Sequence, residues 1–135
     1  MGAWDHSNFG NDTAHDFVYE VTEQGMEKII HAIKTAAECP GDEYLESDEA
    51  NEALAAIEFI AAAKGNMAED FPENAEDWLA GKNVDALISA DIISESDKAL
   101  ARIKSDNSEL KDLWQDSEHY NDWINVVDNL LSRIK

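Results

Sequence analysis

The sequence predicts an all-α fold: a compact bundle of about six or seven mostly antiparallel amphipathic helices, preceded by an ordered N-terminal loop. Three observations carry that expectation. Apolar residues recur at i, i+3, i+4 and i+7 through most of the chain. Glycine, proline or a side-chain oxygen able to cap a helix separates the runs. Alternation with period two is confined to a few residues near Tyr44 and Leu45.

The opening stretch, residues 1–11, sets Trp4 and Phe9 between Gly2 and Gly10 and reads as a loop. Two large aromatics in so short a segment anchor it, since burying each ring stabilises by roughly 1.5–3 kcal/mol. Asn11 or Asp12 then offers an oxygen to the free N–H groups of a first helix, whose apolar stripe is Ala14, Phe17, Val18 and Val21. A break near Thr22–Gly25 leads to a second helix with Met26, Ile29, Ile30, Ile33 and Ala37, ended by Cys39-Pro40-Gly41. The third starts near Ser47 or Asp48. It carries Glu49 and Glu52 in its first turns, runs through Ala50, Leu54, Ile57, Phe59, Ile60 and Ala61, and stops at Gly65, as a C-terminal glycine cap allows.

Pro72 suits a first helical turn, so a short fourth helix is expected from Pro72 to Leu79, closed by Gly81. A longer fifth is expected from Val84 to Lys104, with a possible interruption at Ser94-Glu95-Ser96. Ser108 is placed to cap a sixth helix with Leu110, Leu113 and Trp114. The last, His119 to Arg133, carries Tyr120, Trp123, Val127 and Leu130 on a stripe continued by Ile134.

A chain of 135 residues is the size of one domain. Its 44% hydrophobic content and four tryptophans supply a core, which argues against disorder. The charge balance is its most unusual property: 30 acidic against 10 basic residues, a formal net charge of −20. That field opposes direct binding of nucleic acid, which needs clustered Lys and Arg, and attracts basic proteins. An acidic surface also serves plain solubility. No apolar run is long enough for a membrane span, no basic-then-apolar opening resembles a signal peptide, and Cys39 has no second cysteine to pair with; a cytoplasmic location is expected.

The segments Gly2-x-Trp4 and Phe9-x-Asn11-Asp12-x-Ala14-x-Asp16, with Tyr44-Leu45-Glu46, Glu52-Ala53-Leu54-Ala55-Ala56-Ile57-Glu58 and Ser108-Glu109-Leu110-x-x-Leu113-Trp114, resemble the pattern of a bacterial family catalogued as domain of unknown function 4259. Asp5 and His6 stand where that family often has glycine after the tryptophan, and Gly10 replaces a commonly acidic position. The resemblance spans most of the chain and implies a stand-alone helical domain; it implies no activity.

Candidate sites follow from charge and spacing. Asp42, Glu43, Glu46, Asp48, Glu49 and Glu52 gather around the start of the third helix. Glu69, Asp70, Glu73, Glu76 and Asp77 gather around the fourth. These two groups form either a face for a cationic partner or two solvated surfaces. The leading expectation is a non-catalytic acidic binding protein, such as an immunity protein inhibiting a basic nuclease toxin, with the partner held by Asp42, Glu43, Glu46, Asp48, Glu49, Glu69, Asp70 and Glu73.

The alternative is a small-ligand or metal binder, or an enzyme, with its site in the N-terminal loop and first helix: Trp4, His6, Asn11, Asp12 and His15. Asp12, His15 and Asp16 are spaced to converge on one helix face and hold a cation; equally, Asn11 and Asp12 are a helix cap. Paired Glu-x-x-His, His-Glu-x-x-His, phosphate-loop and calcium-loop patterns are absent, so no catalytic residue, metal or cofactor is expected. His31 and Cys39 read as incidental side chains, and Trp78, Trp114 and Trp123 as core residues or interface anchors. The chain is expected to be a monomer or a homodimer.

Overall fold

A computed structural model describes residues 7–135, so Trp4 and His6 lie outside the described residues. The described chain contains seven helices: α1 Asp12–Gln24, α2 Met26–Ala37, α3 Ser47–Ala63, α4 Glu73–Ala80, α5 Ala90–Lys104, α6 Glu109–Gln115 and α7 Tyr120–Ile134. They pack as an all-α bundle. A strand-like feature among the described residues is an isolated parallel bridge between Leu45 and Ser108.

The bundle is organised around α3. From Ala53 to Ala61 every residue of this helix is buried, because neighbours cover it on all sides rather than on one stripe. Helix α2 packs chiefly against α3 and α5, and α1 and α7 also lie on α3. The outer helices show the expected stripes: Ala14, Phe17, Val18 and Val21 on α1, and Trp123, Val127, Leu130 and Ile134 on α7. Two pairs not consecutive in the chain bring their C-terminal ends together. Arg102 of α5 reaches the carbonyl of Cys39 just past α2 (3.1 Å), and Lys64 at the end of α3 donates to the carbonyl of Ile134 in α7 (2.8 Å).

Helix boundaries differ from the sequence expectation where turn chemistry competes with periodicity. Helix α1 runs to Gln24, and the break falls on Gly25 alone, whose φ of 87° belongs to the left-handed region that favours glycine. Helix α5 begins at Ala90, not Val84. Asn83 Oδ1 accepts from the Asp85 amide (3.1 Å), Leu87 closes a turn on Val84, and Ser89 caps the helix through the Ile92 amide (3.3 Å). The Ser94-Glu95-Ser96 segment does not interrupt it. Ser96 is fully buried and turns its hydroxyl back onto the carbonyl of Ile92 (2.8 Å), so the serine is satisfied within the helix. Pro72 precedes α4 as its N-terminal flanking residue instead of lying inside the first turn.

Phe9 holds the N-terminal loop to the core, as its position predicts. It starts a chain of edge-to-face rings: Phe9 on Phe71 (5.6 Å between centroids), Phe71 on Phe59 (5.2 Å), Phe59 on Trp78 (5.9 Å). This chain sets the loop beside the second half of α3. Trp114 and Trp123 are core residues, whereas Trp78 is half-buried with Lys82 over its ring.

Candidate functional site

Glu58 is the one charged side chain in the apolar stretch of α3, and only 2% of it is exposed. A carboxylate buried so deeply requires ionic and hydrogen-bonded partners. Arg133, the next-to-last residue of α7, supplies a two-pronged contact: Nη1 to Oε1 at 2.8 Å and Nη2 to Oε2 at 2.9 Å. Asn8 of the N-terminal loop adds a third hydrogen bond, its Nδ2 donating to Oε2 at 2.7 Å. The loop, the central helix and the last helix therefore meet at one carboxylate.

The guanidinium is committed further. Its Nε donates to Asn129 Oδ1 (2.8 Å), and Nη1 also donates to the carbonyl of Asn66 (3.2 Å), while Asn66 returns a bond to the carbonyl of Arg133 (2.9 Å). The Glu58 hydrogen bonds, followed by the charges of Glu58 and Asp70, hold the Arg133 guanidinium above its ordinary basicity against the opposing effect of burial.

This network forms the floor of an open cleft of about 790 Å³, walled by Ser7 and Asn8, by Met67–Asp70 and by Asp122, Asn125, Val126 and Asn129 of α7. Four carboxylates line it (Glu58, Glu69, Asp70 and Asp122) against the single guanidinium of Arg133. Asp122 also meets His119 Nδ1 at 3.3 Å. Asn8 is 4% exposed, and its Oδ1 is buried without a donor among the described residues.

The acidic groups read from the sequence are exposed at Asp42, Glu43, Glu46, Asp48, Glu69, Asp70 and Glu73, and half-buried at Glu49. The first group stands at the N-terminal end of α3, whereas the second lies on the chain after α3, which folds back beside its second half: Phe71 packs on Phe59, and Glu69 and Asp70 line the cleft with Glu58. Asp48 and Glu49 instead lie beside Glu52, whose pKa is raised first by burial and then by Glu20, Asp48 and Glu49, against the lowering effect of Lys28.

In the N-terminal alternative, Asn11 is a helix cap: its Oδ1 accepts from the Ala14 amide at 2.7 Å. Asp12 and His15 are exposed on α1, and among the described residues no three His, Cys, Asp or Glu side chains are grouped to hold a metal. The loop nevertheless contributes to a site, through Asn8, which the spacing argument passed over. Asn8, Glu58, Asp122 and Arg133 were all missed; the available signal was a glutamate inside the run Ala53–Ala63, since such a residue is buried only when paired.

A second buried cation lies apart from the cleft. Arg102 is 8% exposed and reaches no carboxylate within ion-pair distance among the described residues; it donates instead to the carbonyls of Cys39, Pro40, Glu43, Asp106 and Asn107 and to the hydroxyl of Ser105. It ties the loop after α2 to the loop after α5. Its donors are consumed by backbone, so it is a structural tie.

No helix among the described residues is long and apolar enough to cross a membrane. Comparison with curated proteins and with solved structures finds no match. A family model does match, over residues 2–125, and that span takes in the N-terminal loop, Glu58 and Asp122. The chain belongs to the family described as Domain of unknown function (DUF4259).

Proposed function

We propose that this chain is a non-catalytic, cytoplasmic binding protein that occupies a basic protein partner, in the manner of an immunity protein neutralising a cationic nuclease toxin. The observation that carries this reading is the net charge of −20, displayed on exposed carboxylates around the start of α3 and around α4. Such a surface accelerates encounter with a cationic partner and places carboxylates where that partner would otherwise meet phosphates. Arginine and lysine together number 10 against 30 acidic residues, and the guanidinium groups of Arg133 and Arg102 are engaged by internal partners.

The test is affinity capture from the source organism with the tagged chain at low and at high salt, identified by mass spectrometry. A basic protein retained at low salt and released at high salt is the expected result. The absence of any stable basic partner would overturn the reading.

A further inference from the structure

We propose that the cleft above Glu58 and Arg133 is a receptor for a guanidinium or ammonium group, supplied by an arginine or lysine of the basic partner. This rests on the functional reading above, and it assigns that reading one socket where the surface charge alone assigns none.

Three observations converge. With Glu58 and Arg133 neutralising each other, the three further carboxylates of Glu69, Asp70 and Asp122 make the cleft attractive to a cation, and Glu58, Asn129 and the Asn66 carbonyl take four of the five Arg133 N–H donors. Asn8 is fixed at the cleft wall with its Nδ2 committed to Glu58, which leaves Oδ1 as a buried acceptor lacking a donor among the described residues. A buried amide oxygen without a partner is costly, and an entering N–H group removes that cost. Finally, the unsatisfied or exposed groups on the walls (Asn8 Oδ1 and the carboxylates of Glu69, Asp70 and Asp122) are acceptors, which a multi-donor cation satisfies and a neutral apolar group does not.

The probe is the peptide acetyl-Gly-Arg-Gly-amide, titrated into the isotope-labelled full chain and followed by amide NMR, with the citrulline peptide as an uncharged isostere. The expected result is saturable shifts centred on Asn8, Asn125 and Asn129, at least about ten-fold weaker binding of the citrulline peptide, and about five-fold weaker binding by the E69Q/D70N variant. Both substituted side chains are exposed, so folding is preserved. The E23Q/E27Q variant removes equal charge from exposed positions outside the cleft and binds as the parent does. Equal binding of the citrulline peptide, equal weakening by E23Q/E27Q, or no saturable shift would each overturn the proposal.

The two readings separate cleanly. A captured basic partner that binds E69Q/D70N undiminished leaves the partner in place and removes the cleft from its recognition. An arginine peptide seated in the cleft, with no basic protein captured, removes the partner and leaves a receptor for small amines.

Discussion

Arg133 and Glu58 lie 75 residues apart in sequence and meet through two parallel N–H···O contacts of 2.8 and 2.9 Å beneath the acidic cleft. The pair joins α7 to the centre of the bundle, and Asn8 extends it to the N-terminal loop. Breaking it by Arg133→Met strands a buried carboxylate, and the expected loss of unfolding free energy is about 3–5 kcal/mol. The double variant E58M/R133M recovers most of that loss, because two apolar side chains do not require the compensation a lone charge does. Urea denaturation followed by circular dichroism measures both; a double variant as unstable as the single one would sink the account.

Arg102 makes a different demand. Its fork spans the carbonyls of two loops, and the compact ammonium of lysine cannot reach them together. Arg102→Lys is therefore expected to cost about 2–4 kcal/mol, nearly as much as Arg102→Met, since both leave buried carbonyls without donors. Hydrogen exchange of the amides from Cys39 to Leu45 and from Ser105 to Ser108 reports whether the two loops loosen together, as a shared tie requires.

The Asn11 cap separates the structural from the ligand-binding account of the N-terminal motif. Asn11→Ala removes the acceptor for the Ala14 amide and is expected to cost about 1–2 kcal/mol, while Asn11→Asp retains it and stays close to the parent. Thermal melts of the three proteins, with and without divalent cations, measure this. A melting temperature raised by a cation only when Asn11 is intact would reverse the assignment.

Glu52 has a folded-state pKa raised chiefly by burial, with Glu20, Asp48 and Glu49 adding to it and Lys28 opposing. Between the ordinary glutamate value and the raised one, the folded protein binds more protons than the unfolded chain, so stability falls as pH rises through that window. The penalty is complete above it and absent below it. Glu52→Gln is accordingly expected to stabilise at pH 7, by less than about 1 kcal/mol given solvent screening, and to make no difference below about pH 4. Equal stabilisation at both pH values would show that charge is not the cause.

The excess of carboxylates also acts on the whole molecule. Self-repulsion at a net charge of −20 opposes compaction, and added salt screens it over distances near 10 Å at about 0.1 M. The melting temperature is expected to rise by several degrees between about 0.02 and 0.2 M sodium chloride. A flat response would mean that the few ion pairs, such as Lys104–Asp128 at 2.7 Å, offset the repulsion.

The sequence by itself determined the fold class, the existence of the seven helices of the described residues and the residues on most of their buried stripes. Helical stripes such as Ala14–Phe17–Val18–Val21 and Trp123–Val127–Leu130 are set by a 3.6-residue period, and ends such as the Asn11 and Ser108 caps by groups within three residues; both are local. The same locality explains the errors. Val84 to Ser89 keeps an apolar rhythm, yet Asn83 and Ser89 favour turn and cap hydrogen bonds there. Of the site, only Glu69 and Asp70 were legible, as exposed charge. That Glu58 is buried, that Arg133 and Asn8 converge on it, and that Glu69 and Asp70 fold back to line the same cleft were decided by the tertiary structure, because a buried charge takes its partners from distant segments and no period along the chain records which ones.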